Sequence, residues 1–108
     1  MTKKQINRAV QELKLKLRIL FGEDVELRLF GSAVRGDYRK HSDIDIVVLL
    51  PGKVDNAIEE KVFDATYDIE LKYGVIFGII VYAREFWGSE VAASMPLYQN
   101  IAKEGIAI

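Results

Sequence analysis

The chain has no cysteine, one histidine and two prolines. Without cysteine there is no disulfide framework, no thiolate zinc site and no thiol nucleophile. A single histidine, His41, excludes a two-histidine metal site. The longest apolar stretch, Val75 to Ala83, is far too short to span a bilayer. The Lys-rich start runs into an amphipathic pattern and does not read as a signal peptide. No charge sign dominates: 15 Lys and Arg face 16 Asp and Glu, for a formal net charge of −1. Strong non-specific binding of the whole molecule to nucleic acid is therefore not expected. These absences suit a cytoplasmic protein with no membrane attachment. The 108 residues allow one domain over 1–108 with one modest core and leave no room for a separate acceptor-binding domain.

What is present is a clear alternation of periodicities. Ile6, Val10, Leu13, Leu17 and Leu20 recur at helical spacing, with Thr2 placed to cap the start and Gly22 to stop the end. Val25, Leu27 and Leu29 alternate with Glu26 and Arg28, the pattern of a half-buried strand. Ile44 to Leu50 is nearly all apolar after its aspartates, as for a strand covered on both faces, and Pro51-Gly52 ends it. A second helix is expected from Asp55 or Asn56, burying Ile58, Val62, Ala65, Ile69 and Tyr73 and closed by Gly74. Val75 to Tyr82 reads as a third strand, with Gly78 as a bulge or a point of close approach. Arg84 to Ser94 gives no clear pattern. Pro96 opens a last short helix through Lys103 that Gly105 ends. The order helix, strand, strand, helix, strand, helix predicts an α/β (α+β) fold with a small mixed sheet flanked by helices.

The segment FGSAVRGDYRKHSDIDIVVLL, Phe30 to Leu50, carries the chemistry. Asp43 and Asp45 stand two apart at a strand start, so both carboxylates point to one face. At roughly 6 Å and an effective dielectric near 20, two such charges repel by about 3 kcal/mol. A divalent cation turns that repulsion into coordination, and hard carboxylate oxygens suit Mg²⁺ or Mn²⁺. Upstream, Gly31 permits close backbone approach, and Ser32 is placed to cap a short turn whose free amides would face an anion. Arg35, Arg39 and Lys40 add positive charge, and Gly36 permits a left-handed exit. The bland reading is a Gly-rich connection with solvated charges and a polar strand end. The spacing from Gly31 to Gly36 mimics a P-loop, but Asp37-Tyr38 follows where Lys-Ser/Thr is required, so that reading fails.

Other groups carry less. His41 beside Ser42 lacks the geometry of a nucleophile and base, and Ser42 is placed to bond locally at the strand start. Asp37 is placed to pair with Arg35 or Arg39. The first helix holds Lys3, Lys4, Arg8, Lys14, Lys16 and Arg18 against Glu12, either a solvated face or a footprint for RNA or an acidic partner. Tyr82, Phe86, Trp87 and Tyr98 offer core filling, a partner surface or a stacking site.

Gly31-Ser32, ten intervening residues and Asp43-Ile44-Asp45 together resemble the signature of the DNA polymerase β nucleotidyltransferase superfamily. The string GSAVRGDYRKHSDIDIVV is similar to the minimal nucleotidyltransferases (MNT) of bacteria and archaea, and the tail PLYQNIAKEGIAI is similar to one branch of them. The resemblance extends over nearly the whole chain. It implies transfer of a nucleoside monophosphate, AMP from ATP, to a hydroxyl on a protein or RNA acceptor with Mg²⁺. It implies that Gly31, Ser32 and Arg35 hold the triphosphate and that Asp43 and Asp45 are the catalytic, metal-binding pair. It also implies a helical HEPN-type protein partner, in some cases as a toxin–antitoxin pair.

One departure stands out. Catalytic members of the family carry a third carboxylate on a later strand, and Val75–Tyr82 has no acid. Asp68, Glu70 and Glu85 lie nearby. Asp68 and Glu70 diverge by roughly 200° on a helix, and Asp68 is spaced to pair with Lys72. The alternative function is therefore a non-catalytic partner or regulator of the same fold that binds a helical protein, with or without nucleotide.

Overall fold

The computed structural model describes residues 3–35 and 43–108. Helix α1 spans Lys3–Phe21 and buries Ile6, Ala9, Val10, Leu13 and Leu17. The predicted stripe holds except at its end. Leu20 is 49% exposed, and Phe21, four residues after buried Leu17, packs against the core in its place. Gly22 takes φ +99°, and its amide donates to Arg18 O at 2.8 Å. Thr2, expected to cap the start, lies outside the described residues. Strand β1 is Glu26–Phe30, with Val25 buried just ahead of it. A four-residue helical turn, α2, follows at Ser32–Arg35.

Strand β2 is Ile44–Leu50, and helix α3 is Asn56–Tyr73. Asp55 caps α3: its Oδ1 accepts from Ile58 N at 2.9 Å. Gly74 closes it at φ 65°, donating to Glu70 O. Strand β3, Phe77–Ala83, begins two residues later than the apolar run suggested. It pairs parallel with β2 from Ile44↔Phe77 to Leu50↔Ala83 without interruption, so Gly78 is no bulge. β1 pairs antiparallel with β2.

The segment from Arg84 to Ser94, unreadable in sequence, forms two single-turn helices, α4 (Arg84–Trp87) and α5 (Glu90–Ala93). Such turns are too short to show a period. Helix α6 is Pro96–Glu104, as Pro96 and Gly105 indicated. A two-residue strand that was not anticipated, β4 (Ile106–Ala107), adds antiparallel to β1. The described sheet is mixed, in the order β3-β2-β1-β4.

Period-2 alternation along β2 divides the structure. Ile44, Ile46, Val48 and Leu50 join Leu13 and Leu17 of α1 and Val62 and Ile69 of α3 in one core. Val47 and Leu49 face the other way, under Trp87 and Ile101. Both faces of β2 are covered, which accounts for its unbroken apolar run. No described helix is long and apolar enough to cross a membrane.

Helices α1 and α3 meet along a charged seam. Asp68 pairs with Lys16 at 2.7 Å, and Lys72 pairs with Glu12 at 2.8 Å. The expected Asp68–Lys72 pair within α3 is thus replaced by two cross-helix pairs, since both side chains lean toward the neighbouring helix. The hydrogen bond from Lys72, then that from Tyr73, holds the Glu12 carboxyl below its ordinary range. The same Glu12 carboxylate raises Lys72 and Tyr73 above theirs.

Two outcomes follow for stability. Leu17→Ala should cost about 3 kcal/mol in urea unfolding, whereas Leu20→Ala should be close to neutral. The Glu12 contribution is present above the ordinary carboxyl pKa and is lost as pH falls through the depressed folded value. The Lys72 and Tyr73 contributions are present below their ordinary values and are lost as pH rises through the raised ones. Urea midpoints should therefore plateau near neutrality and fall on both sides, and Glu12→Gln should flatten both shoulders.

Candidate functional site

Asp45 lies on the central strand β2, across from Phe30 of β1 and Gly78 of β3. Asp43, just ahead of β2, shares its face by the same alternation that places Val47 and Leu49 there. Asp43 is exposed and Asp45 half-buried. The far half of this face is roofed by Trp87, Ile101, Leu97 and Tyr98.

Two glycines bracket the Asp45 carboxylate. A Cβ at Gly78 would stand 2.7 Å from Asp45 Oδ1 and 3.7 Å from Asp43 Cβ. A Cβ at Gly31 would overlap Asp45 Oδ2, and Gly31 holds φ +75° besides. Gly78 therefore serves a close approach, one of the two roles its isolation in an apolar strand suggested. What it approaches, the Asp45 carboxylate, was not legible in the sequence.

The turn after β1 starts at Gly31, whose carbonyl accepts from Val34 N at 3.1 Å. Ser32 was expected ahead of this turn as its cap, but it is the first residue of α2, and Gly31 holds the position before it. The left-handed backbone of Gly31 makes that shift possible. The first amides of a helical turn have no acceptor inside it, and here they belong to Ser32 and the residues after it, beside Asp45. Arg35 is the last residue of α2. The readings made for Gly36, Asp37, Arg39, Lys40, His41 and Ser42 lie outside the described residues.

The acids considered as third ligands sit elsewhere. Asp68 is taken by Lys16. Glu70 Oε2 accepts from Phe77 N at 2.8 Å and pins the start of β3, a role the sequence did not suggest. Glu85 is exposed on α4. Among the described residues no group of three or more His, Cys, Asp or Glu is placed to hold a metal ion. The β2–β3 register puts Gly78 across from Asp45. One step earlier, Ile76 stands across from Asp43, its carbonyl bonded to Ile44 N at 2.8 Å. Ile76 is 57% exposed.

Tyr82, Phe86, Trp87 and Tyr98 pack against one another. Tyr82 stacks on Phe86 with centroids 5.4 Å apart, and Trp87 meets Tyr98 at 4.8 Å. Trp87 is buried in the second core.

Two hard carboxylates on one face, one of them admitted between Gly31 and Gly78, are the donor type that suits a hard divalent cation. Gly31→Ala should destabilise by at least about 1–2 kcal/mol from the left-handed backbone alone. Gly78→Ala, with no such backbone cost, should displace the Asp45 carboxylate and weaken Mn²⁺ uptake in calorimetry while the fold survives.

The model of a nucleotidyltransferase domain matches residues 5–104. The chain is 37% identical over 102 residues to a Methanocaldococcus jannaschii protein named "Putative protein adenylyltransferase MJ0604", covering 94% of this chain and 92% of that one. A spectinomycin 9-adenylyltransferase of Staphylococcus aureus is 36% identical over 69 residues, 63% of this chain and 26% of the enzyme. In fold, the chain is similar to one from a crystal structure of a toxin–antitoxin with AMP-PNP. That match has a TM-score of 0.59 at 18% identity and covers 99% of this chain and 72% of the other.

Proposed function

The chain belongs to the nucleotidyltransferase domain family, and from that premise we propose that it transfers AMP from ATP to a hydroxyl group of a protein acceptor. The observation that carries this reading is the Asp43–Asp45 pair on one face, with Gly31 and Gly78 making room for the Asp45 carboxylate between them. The name of the M. jannaschii relative supports a protein as the acceptor. The toxin–antitoxin neighbour is compatible with a helical HEPN-type partner in that role.

Asp43 and Asp45 would hold Mg²⁺ or Mn²⁺. When bound, such an ion neutralises triphosphate charge and favours departure of pyrophosphate. Gly31 brings backbone close to the triphosphate, Ser32 offers its amide and hydroxyl, and Arg35 supplies a guanidinium for phosphate oxygens. The acceptor oxygen attacks the α-phosphorus of ATP. The bond from that phosphorus to the bridging oxygen breaks, pyrophosphate leaves with the electron pair, and the hydroxyl proton passes to solvent. The products are an adenylylated acceptor and pyrophosphate.

A second reading, a non-catalytic partner of the same fold, is favoured by one observation. The two positions facing the carboxylate pair are Ile76, just ahead of β3, and Gly78 within it, and neither side chain can bind a metal.

Incubation with α-labelled ATP, Mg²⁺ and a candidate HEPN-type partner protein separates the two. Label should appear on the partner and should drop at least about 10³-fold in Asp43→Asn and Asp45→Asn, with unchanged circular dichroism. A tight complex that never acquires label, and is indifferent to Asp43→Asn, would establish the second reading instead. Ile76→Asp places a carboxylate across from Asp43 at an exposed position. It should lower the Mg²⁺ concentration needed for half-maximal labelling by several-fold (roughly 1 kcal/mol).

A further inference from the structure

β3 is the outer strand of the described sheet, and among the described residues only β2 pairs with it. The bond from Ile44 N to Ile76 O sets the parity. Even-numbered residues of β3 turn their backbone groups toward β2, while Phe77, Ile79, Val81 and Ala83 turn theirs outward. Glu70 takes the outward amide of Phe77. No described group takes those of Ile79 and Val81. Sheet edges are ordinarily blunted by lysine, proline or a bulge. FGIIVYA has no charge, no proline and an uninterrupted register.

Beside this edge α3 exposes an apolar stripe: Phe63 at 46%, Tyr67 at 58% and Leu71 at 66%. On a helical wheel centred on buried Val62, the three lie at about 100°, 140° and 180°. Glu70, at about 80° on the same flank, reaches β3. Asp68 and Lys72 lie on the opposite flank and reach α1. Glu59, Glu60 and Asp64 rim the stripe without an ion partner among the described residues.

We propose that the open edge of β3 and the Phe63–Tyr67–Leu71 stripe form the docking site for an extended, cationic segment of the protein acceptor, added to the sheet as a strand. Its outward-directed amides and carbonyls would complete the ladder of Ile79 and Val81. Of the residues that the added strand turns toward α3, apolar ones would cover Phe63 and Tyr67, and Lys or Arg among them would meet Glu59, Glu60 and Asp64, while the residues between them face the carboxylate side. A second copy of the chain fits poorly, because two-fold pairing of β3 edges brings the same acids face to face. The start of the edge also adjoins the site. Gly78, which has no side chain, is all that separates an added strand from Asp45, so a hydroxyl on a side chain laid across Gly78 comes near the carboxylates. This role rests on the protein-acceptor reading, whereas the docking itself does not.

The probe is an acetylated peptide of about ten residues with valine and lysine in turn at the alternate positions that face α3, and serine with one central threonine at the positions between them. Amide spectra of the ¹⁵N-labelled chain should show saturable shifts at Ile79, Val81, Phe63 and Tyr67. Asp64→Lys and Val81→Pro should each weaken binding about tenfold. Val81→Pro removes an outward amide and no ladder bond, and Tyr67→Ser on the exposed stripe repeats the test should the proline variant unfold. Equal binding of a glutamate-for-lysine peptide, or of one N-methylated at alternate amides, overturns the proposal. So does a chain dimer cross-linked through β3. With α-labelled ATP the two readings part. Docking without label on the threonine leaves the edge site standing and removes the acceptor role. Label that Val81→Pro and Tyr67→Ser leave undiminished removes the docking site and leaves the transferase.

Discussion

A carboxylate held between two strands needs room, and here that room exists because Gly31 and Gly78 have no side chains. Asp45 sits on the middle strand with its oxygens directed into the space that Cβ atoms from both sides would otherwise take. The arrangement depends on register. β1 must pair with β2 so that Phe30 lies across from Asp45, which brings Gly31 to its flank. β3 must run parallel to β2 with Gly78 opposite the same residue. A slip of one residue in either pairing would turn the slipped strand's side chains to the opposite face and carry its glycine away from Asp45.

The alternation of β2 ties this site to stability. Its even-numbered residues form the floor of the main core, and its odd-numbered residues pass from Val47 and Leu49, under Trp87 and Ile101, to half-buried Asp45 and exposed Asp43. One strand thus supplies both the hydrophobic anchor and the carboxylate end. The anchor is strong because both faces are covered, and the carboxylate end is polar because the roof of α4 and α6 covers only the far half. The rigid element holds the two carboxylates, while the turn at α2 supplies the approach to them.

The edge of β3 stands in contrast to its inner side. Its residues form seven register pairs with β2, Glu70 takes the outward amide of Phe77, and among the described residues no group takes those of Ile79 and Val81. Glu70 fixes where β3 begins, and so fixes which residues face Asp43 and Asp45. That a helix acid satisfies a strand amide explains why it is absent from the carboxylate cluster, although sequence proximity made it a candidate.

The signature from Gly31 to Asp45, the buried stripes of α1 and α3 and the caps at Asp55, Gly74 and Pro96 were all legible in the sequence, because each is a local matter of period, capping or backbone freedom. The shared face of Asp43 and Asp45 follows from alternation alone. The second layer, α4 and α5, and the strand β4 were not legible, since one-turn helices and two-residue strands carry no period and exist only through the contacts they make. Nor could sequence decide which acids met which cations: Asp68 and Lys72 were spaced to pair with each other, yet the approach of α1 drew them to Lys16 and Glu12. That Gly78 lies against Asp45, that Ile76 and Gly78 occupy the positions facing the carboxylates, and that β3 forms an open edge are all consequences of strand pairing between residues far apart in the chain. Those pairings are set by how two cores pack on opposite faces of one sheet, a long-range condition that no single stretch of residues encodes.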